Sequence, residues 1–161
     1  MKQEAERMDT QNGINLVENC NLYKVESTDD LTSFTCGDED LDDFFAHDAY
    51  LYDRQLLGKT YYFETQNTGV IVGAFSVSND SIKASLISKS IRNKLHRKIP
   101  NSKRTRSYPA VLIGRIGVAN NLRGYHVGSQ IVEYIKFWFT RNDNKSGCRF
   151  VVVDAYNKQN V

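Results

Sequence analysis

The segment Arg123-Gly124-Tyr125-His126-Val127-Gly128-Ser129 combines a cation with two glycines, directly after an apolar strand and at the opening of an amphipathic helix. A helix start exposes unpaired N–H groups and carries a partial positive charge. Glycines there let the main chain approach an anion without Cβ interference. Together these features suit a pyrophosphate, to which Arg123 could add a charge-assisted contact. His126 reads either as a further phosphate contact or as a surface residue without a role. Two common nucleotide signatures are excluded. There is no GxxxxGK[ST] string and no GxGxxG at the start of a strand–helix–strand unit.

Other chemistries find less support. Cys20, Cys36 and Cys148 are odd in number and lack CxxC spacing, which argues against a disulfide framework and a cysteine zinc site. They read as small hydrophobes. The net charge of +2 makes the whole chain a weak polyanion binder, but the charge is uneven. Asp38 to Asp43 is acidic and reads as a helix N-terminus, with steering of a cationic amine as the other reading. Lys89 to Arg106 is basic, through Lys89, Arg92, Lys94, Arg97, Lys98, Lys103, Arg104 and Arg106. It reads either as a solvated face or, with Tyr108 nearby, as a contact surface for RNA or the adenosine phosphate of a cofactor. Tyr134, Phe137 and Trp138 read as helix packing.

The elements that must position the loop follow from periodicity. Leu22 to Glu26 alternates and predicts a strand. Asp38 to Leu57 carries Leu41, Phe44, Phe45 and Leu51 at helical spacing, with Gly58 where a C-terminal cap would sit. Thr60 to Thr65, the turn Asn67-Thr68-Gly69 and Val70 to Val77 predict a hairpin. Ser81 to Pro100 spaces Leu86, Ile87, Ile91 and Leu95 for an amphipathic helix, followed by a basic loop. Ala110 to Val118 and Arg149 to Asp154 are apolar enough for strands buried on both faces. Between them Ser129 to Thr140 places Ile131, Val132, Ile135 and Phe139 on one helical face. Strand, crossover helix and strand predict a parallel pair with a right-handed crossover. The fold class is therefore α/β, with a mixed twisted sheet whose first strands are antiparallel.

At 161 residues, with 40% hydrophobic and 25% charged residues, the chain can bury a core as one domain. Residues 1–14 lack periodicity and read as a flexible arm, leaving residues 15–161 as the domain. No apolar run approaches the ~18–20 residues needed to cross a bilayer, and Met1 to Asn12 is polar with no signal-peptide segment, so a cytoplasmic location is expected.

The loop resembles motif A of the GNAT superfamily of N-acetyltransferases, in which Gln or Arg is followed by x-x-Gly-x-Gly or Ala. Arg123 fills the first place and Gly128 the last, while His126 stands where the family has its first glycine. Pro109 to Val118 is similar to the family's fourth strand. Phe34-x-Cys36-Gly37 before an acidic helix is similar to the opening of acetyltransferase toxins of bacterial toxin–antitoxin pairs, and Val153-Asp154-Ala155-Tyr156-Asn157 to the fifth strand and the next loop. The resemblance implies acetyl-CoA as acyl donor, a primary amine as acceptor and no metal. It implies cofactor contacts from Ile116, Gly117, Val118, Arg123, Gly124, Tyr125, His126, Val127, Gly128, Ser129 and Asn157. The Ile116–Val118 backbone would bind the pantetheine like an added strand and stabilise the oxyanion. Resemblance to toxin-type members raises aminoacyl-tRNA as the acceptor; a homodimer is a further expectation, and the sequence leaves open whether an antitoxin partner exists. Family members continue into a further helix, further strands and a tyrosine acid beyond the point matching Val161, so no general acid is assigned. A non-catalytic CoA-binding domain and an RNA-binding partner are the alternatives.

Overall fold

The computed structural model describes residues 13–154. The N-terminal arm up to Asn12, together with Tyr156 and Asn157, lies outside the described residues.

Each helix start has a local cause. Asn15 caps the short α1 (Leu16–Asn19), its side chain accepting from the Val17 and Glu18 amides. Asp38 caps α2 (Glu39–Asp43), accepting from the Leu41 amide at 3.1 Å. The expected helix then runs through a π turn at Phe44–Asp48 into α3 (Ala49–Arg54), which aims both Phe44 and Phe45 inward. Gly58 is not its cap. Leu56 takes the left-handed conformation instead, at φ 58°, and a Cβ on Gly58 would meet the Val77 carbonyl oxygen at 3.2 Å.

Five strands form one sheet in the order β1-β2-β3-β4-β5: β1 (Cys20–Lys24), β2 (Lys59–Thr65), β3 (Ile71–Lys83), β4 (Ser107–Val118) and β5 (Phe150–Val153). The first three pairs are antiparallel and β4–β5 is parallel, joined through α5 (Val127–Phe139) as the sequence predicts. The β3–β4 hairpin is longer than expected, pairing out to Lys83↔Ser107. Its ladder overrides the polar character of Ser78 to Lys83, so the helix read from Ser81 begins only at Lys89, as α4 (Lys89–His96). Leu86 and Ile91 are exposed there rather than buried.

Two apolar clusters sandwich the sheet. On one face α5 buries Val127, Ile131 and Ile135 against Phe63, Val72, Phe75, Val111 and Ile113. Gly73 allows this approach, because a Cβ there would stand 2.7 Å from Ile131 Cδ1. On the other face the α2–α3 segment buries Phe44, Phe45 and Ala49 with Val25, Leu31, Phe34, Cys36 and Ala74. β5 is not buried on both faces: Phe150 to Val152 are half-buried and Val153 is 52% exposed, as befits a strand with a single neighbour among the described residues.

Candidate functional site

A bulge in β4 creates the first half of the site. Ser76 pairs with Arg115 and Val77 with Ile113, so Gly114 is the extra residue, and a glycine inside a strand commonly marks such a point. On its other side β4 pairs with β5 only from Ala110↔Phe150 to Ile113↔Val153. From Gly114 to Val118, β4 therefore has β3 on one side and, among the described residues, no strand on the other. That leaves a short stretch of unpaired backbone donors and acceptors. Ile116 and Val118 pack their half-buried side chains into the α5-side cluster. Gly117 turns the other way. A Cβ there would stand 3.1 Å from Phe45 Cε2 and 3.2 Å from Cys36 Cβ, so glycine lets the π-turn segment lie this close to the strand without a shift of Phe45 or Cys36.

The second half is the turn after β4. Arg123 is extended, Gly124 has φ 85° and His126 has φ 60°, and α5 starts at Val127, two residues earlier than expected. Val127 and Gly128 thus belong to its first turn. The Tyr125 amide donates to the Leu122 carbonyl at 3.3 Å, but no side chain caps α5. The amides of Val127, Gly128 and Ser129 have no acceptor among the described residues, the kind of donor array that suits an anion. Val127 is buried, Gly128 half-buried and Ser129 exposed. A Cβ on Gly128 would meet only Val118 Cγ2, at an ordinary 3.6 Å. Packing does not require glycine there; open space above the amides is what it provides. Gly124, Tyr125 and His126 are exposed, and the His126 imidazole makes no hydrogen bond to the described residues.

Arg123 is fastened on the Cys36 side of the turn. Its guanidinium donates to the Cys36 carbonyl at 2.7 Å, fastening the turn to the Phe34–Gly37 segment. The Asn120 amide donates to the Thr35 carbonyl at 3.1 Å, and Gly37, at φ 78°, leaves room for the Asn120 side chain. That segment is held in turn by Asp42, whose carboxylate accepts from Thr35 Oγ1 at 2.6 Å, the Cys36 amide at 2.7 Å and the Gly37 amide at 3.3 Å. Burial pushes the Asp42 carboxyl up, but the hydrogen bonds from Thr35, Cys36 and Gly37 outweigh it and hold the group below the usual carboxylate range. The same surroundings, burial first and then Asp42, push the Cys36 thiol up to about 11, which removes it as a thiolate nucleophile. The acidic cluster thus contains both a helix cap, Asp38, and a clamp, Asp42. Only the cap was legible.

Two features escape sequence reading, and a third, the basic run, extends further than expected. Arg115 stacks its guanidinium 3.7 Å from the Phe44 ring centroid and 5.3 Å from that of Tyr52. A cation interrupting an apolar strand was the available signal. Asp53 is buried between Lys24, at 2.6 Å, and Lys59. Burial raises its pKa, yet the two ammonium groups outweigh that and lower it. Finally, Lys83 to Arg106 holds nine Lys and Arg and no Asp or Glu. None of the nine joins an ion pair among the described residues, and all but Arg92 are exposed. No group of three or more His, Cys, Asp or Glu suited to a metal occurs among the described residues, and none of their helices is long and apolar enough to cross a membrane.

No protein-family model matches the chain, and no curated protein sequence matches it significantly. Solved structures do. AtaT complexed with acetyl-methionyl-tRNAfMet is similar with a TM-score of 0.69 and 18% identity, over 88% of this chain and 81% of that one. A point mutant of KacT matches with a TM-score of 0.70 and 18% identity, over the same shares. AtaTR bound with AcCoA matches with a TM-score of 0.64 and 22% identity, over 88% of this chain and 80% of that one. Five strands in this order, a parallel last pair joined through α5 and these superpositions together establish that the chain has the GNAT fold.

Proposed function

We propose that this chain transfers an acetyl group from acetyl-CoA to a primary amine. The observation that carries the reading is the continuity of two unsatisfied surfaces: the open edge of β4 from Gly114 to Val118 runs directly into the uncapped amides at the start of α5. A diphosphate fits the amides of Val127, Gly128 and Ser129, with Gly124, Tyr125 and His126 framing it. The pantetheine arm then lies along Ile116, Gly117 and Val118 as an extra strand. This directs the thioester toward the bulge. A β4 amide donates to the thioester oxygen as charge builds there. The amine nitrogen forms the new C–N bond, the C–S bond breaks, and the amine loses a proton while the CoA sulfur gains one. Arg123 acts through position, holding the turn against Cys36. By resemblance Asn157 contributes a polar contact to the arm. On this reading the acetyl-CoA-binding domain comprises residues 15–161 together with Ile14, which the expected arm had included: Ile14 packs on the α5-side core and its carbonyl accepts from Gln130 Nε2 at 2.8 Å.

Aminoacyl-tRNA is the acceptor this reading favours. The unpaired cations of Lys83 to Arg106 support it, since they can neutralise phosphates only by meeting a polyanion. Two similar structures hold AcCoA and acetyl-methionyl-tRNAfMet respectively. Acetyl-CoA and charged tRNA are cytoplasmic reagents, so the cytoplasm is the compartment the reading requires.

One experiment covers both substrates. Acetyl-CoA should raise the melting temperature, and addition of aminoacylated tRNA should then release free CoA thiol. Replacing Lys94 and Arg97 by glutamine should raise KM for the tRNA and flatten its salt dependence while leaving the acetyl-CoA shift intact. No melting shift at millimolar acetyl-CoA would refute the donor assignment.

A further inference from the structure

We propose that Arg115 seats a phosphate of the acceptor beside the thioester, making it a specificity-determining residue for acceptors that carry a phosphodiester next to the reacting amine. The inference rests on the acetyl-transfer reading and goes beyond it by naming how the acceptor is oriented.

Placement comes first. With the diphosphate at the start of α5, the pantetheine must run back along β4 from Val118 toward Gly114. Arg115 lies three residues upstream of Val118, about 10 Å at the usual strand rise, beside the bulge where β4 and β5 stop pairing. It is the only cationic residue of β4. Its side chain shares the sheet face of Phe44 and Phe45, opposite to α5, so it approaches the thioester from the side that α5 does not cover.

Chemistry comes second. The guanidinium lies on Phe44, which is 4% exposed, with Tyr52 as a second aromatic wall. Stacking of this kind fixes the plane of the group and occupies its face, leaving the N–H edge free. That edge has no partner among the described residues: Arg115 takes part in no side-chain hydrogen bond and no ion pair. Its nitrogens are not sealed off either, since no buried side-chain nitrogen or oxygen among the described residues lacks a partner. An oriented, half-buried, unneutralised guanidinium is the usual means of gripping a tetrahedral or planar anion through two parallel hydrogen bonds. Of the anions an amine acceptor could carry, the cation-rich Lys83 to Arg106 segment favours a phosphodiester. On an aminoacylated 3′ end, the phosphodiester of the terminal nucleotide is the fixed charge nearest to the amine.

Two small acceptors isolate that charge. Puromycin is an aminoacyl-nucleoside with a free amine and no phosphate; cytidylyl-puromycin adds one phosphodiester. With the full chain and saturating acetyl-CoA, KM for cytidylyl-puromycin should be lower than for puromycin by about tenfold to a hundredfold, as expected for one charge-assisted bidentate contact. Arg115→Gln should reduce that ratio to near one, and Arg115→Lys, which keeps the charge without the fork, should leave it in between. Both variants should keep the melting shift with acetyl-CoA, which confirms a folded donor site. The proposal is overturned if Arg115→Gln weakens the two acceptors equally, or if the wild-type ratio is already near one. Acetyl-CoA binding without transfer to either acceptor would remove the aminoacyl-nucleotide reading and this inference with it, whereas absence of the acetyl-CoA shift would remove the donor assignment itself.

Discussion

Gly128 is where folding and ligand binding can be separated. A Cβ at this position meets only Val118 Cγ2 at 3.6 Å, so a larger side chain enters without displacing the protein. Replacing glycine inside a helix gains about 0.5–1 kcal/mol of stability by restricting the unfolded chain. A carboxylate in the first turn adds about 0.3–1 kcal/mol through the helix dipole. Gly128→Glu should therefore melt a few degrees above the wild type without ligand, at about 2–4 °C per kcal/mol for a chain of this size. Acetyl-CoA at a hundredfold excess over its Kd stabilises the wild type by about 2.7 kcal/mol, a rise of roughly 5–10 °C. In Gly128→Glu the new carboxylate takes the diphosphate's place at the amides of Val127, Gly128 and Ser129, and that rise should vanish. Thermal melts of both proteins with and without acetyl-CoA give the four numbers required. A variant that melts higher and still shifts by the full amount would refute the diphosphate assignment. One that melts several degrees lower would refute the packing argument.

The same reasoning gives other signs elsewhere. Gly117→Ala should lower stability by about 1–3 kcal/mol, read by urea melts, because its Cβ would crowd Phe45 and Cys36 at 3.1–3.2 Å. Asp42→Asn should cost about 1.5–3 kcal/mol by replacing a charged acceptor of three hydrogen bonds. Because the folded-state pKa of Asp42 is lowered, its contribution is present above the ordinary carboxylate value and fades as pH falls through the folded value, so Asp42→Asn should show a shallower loss of stability on acidification below about pH 4. Leu56→Gly should raise the melting temperature by a few degrees, since a side chain that is 83% exposed is held at φ 58°.

What the sequence reveals and what it hides divide along a physical line. Periodicity found β4, α5 and β5 and their parallel crossover, because Val127, Ile131 and Ile135 recur at the helical interval and the flanking strands are apolar. The uncapped start of α5 was visible for the same local reason: its free donors are consecutive amides after a glycine-bearing turn. Long-range pairing was not visible. Ser78 to Lys83 reads as polar and non-strand, yet it is strand because Ser107 to Leu112 lies beside it. Gly58 looks like a cap and Leu56 does the capping, since the close approach of Val77 decides which residue must be small. Arg115 was hidden because Phe44 and Tyr52 lie far away in sequence, and Asp42 because the clamp depends on how the Thr35 to Gly37 loop folds back on the helix, which residue types alone do not show. Arg123 was seen as a candidate ligand contact, but its bond to the Cys36 carbonyl, 87 residues earlier, was not.

That last contact bears on how the turn can bind a ligand at all. His126, a non-glycine residue, sits at φ 60°, a conformation that costs about 1–2 kcal/mol and persists only where the surroundings impose it. The surroundings here are specific. Upstream, Arg123 is tied to Cys36 and Asn120 to Thr35, and both anchors are held by the Asp42 carboxylate. Downstream, Val127 is buried in the α5-side core. With both ends fixed, the three residues between Arg123 and Val127 have little choice of path, and the strain at His126 is offset by packing on either side. The amides of Val127, Gly128 and Ser129 are consequently aimed before any ligand arrives. A diphosphate bound there, as proposed, would avoid most of the ordering cost that a loose glycine turn would incur. Under the proposed function the acidic helix would contribute to cofactor affinity from the opposite face of the sheet, by holding rigid the segment to which the turn is fastened.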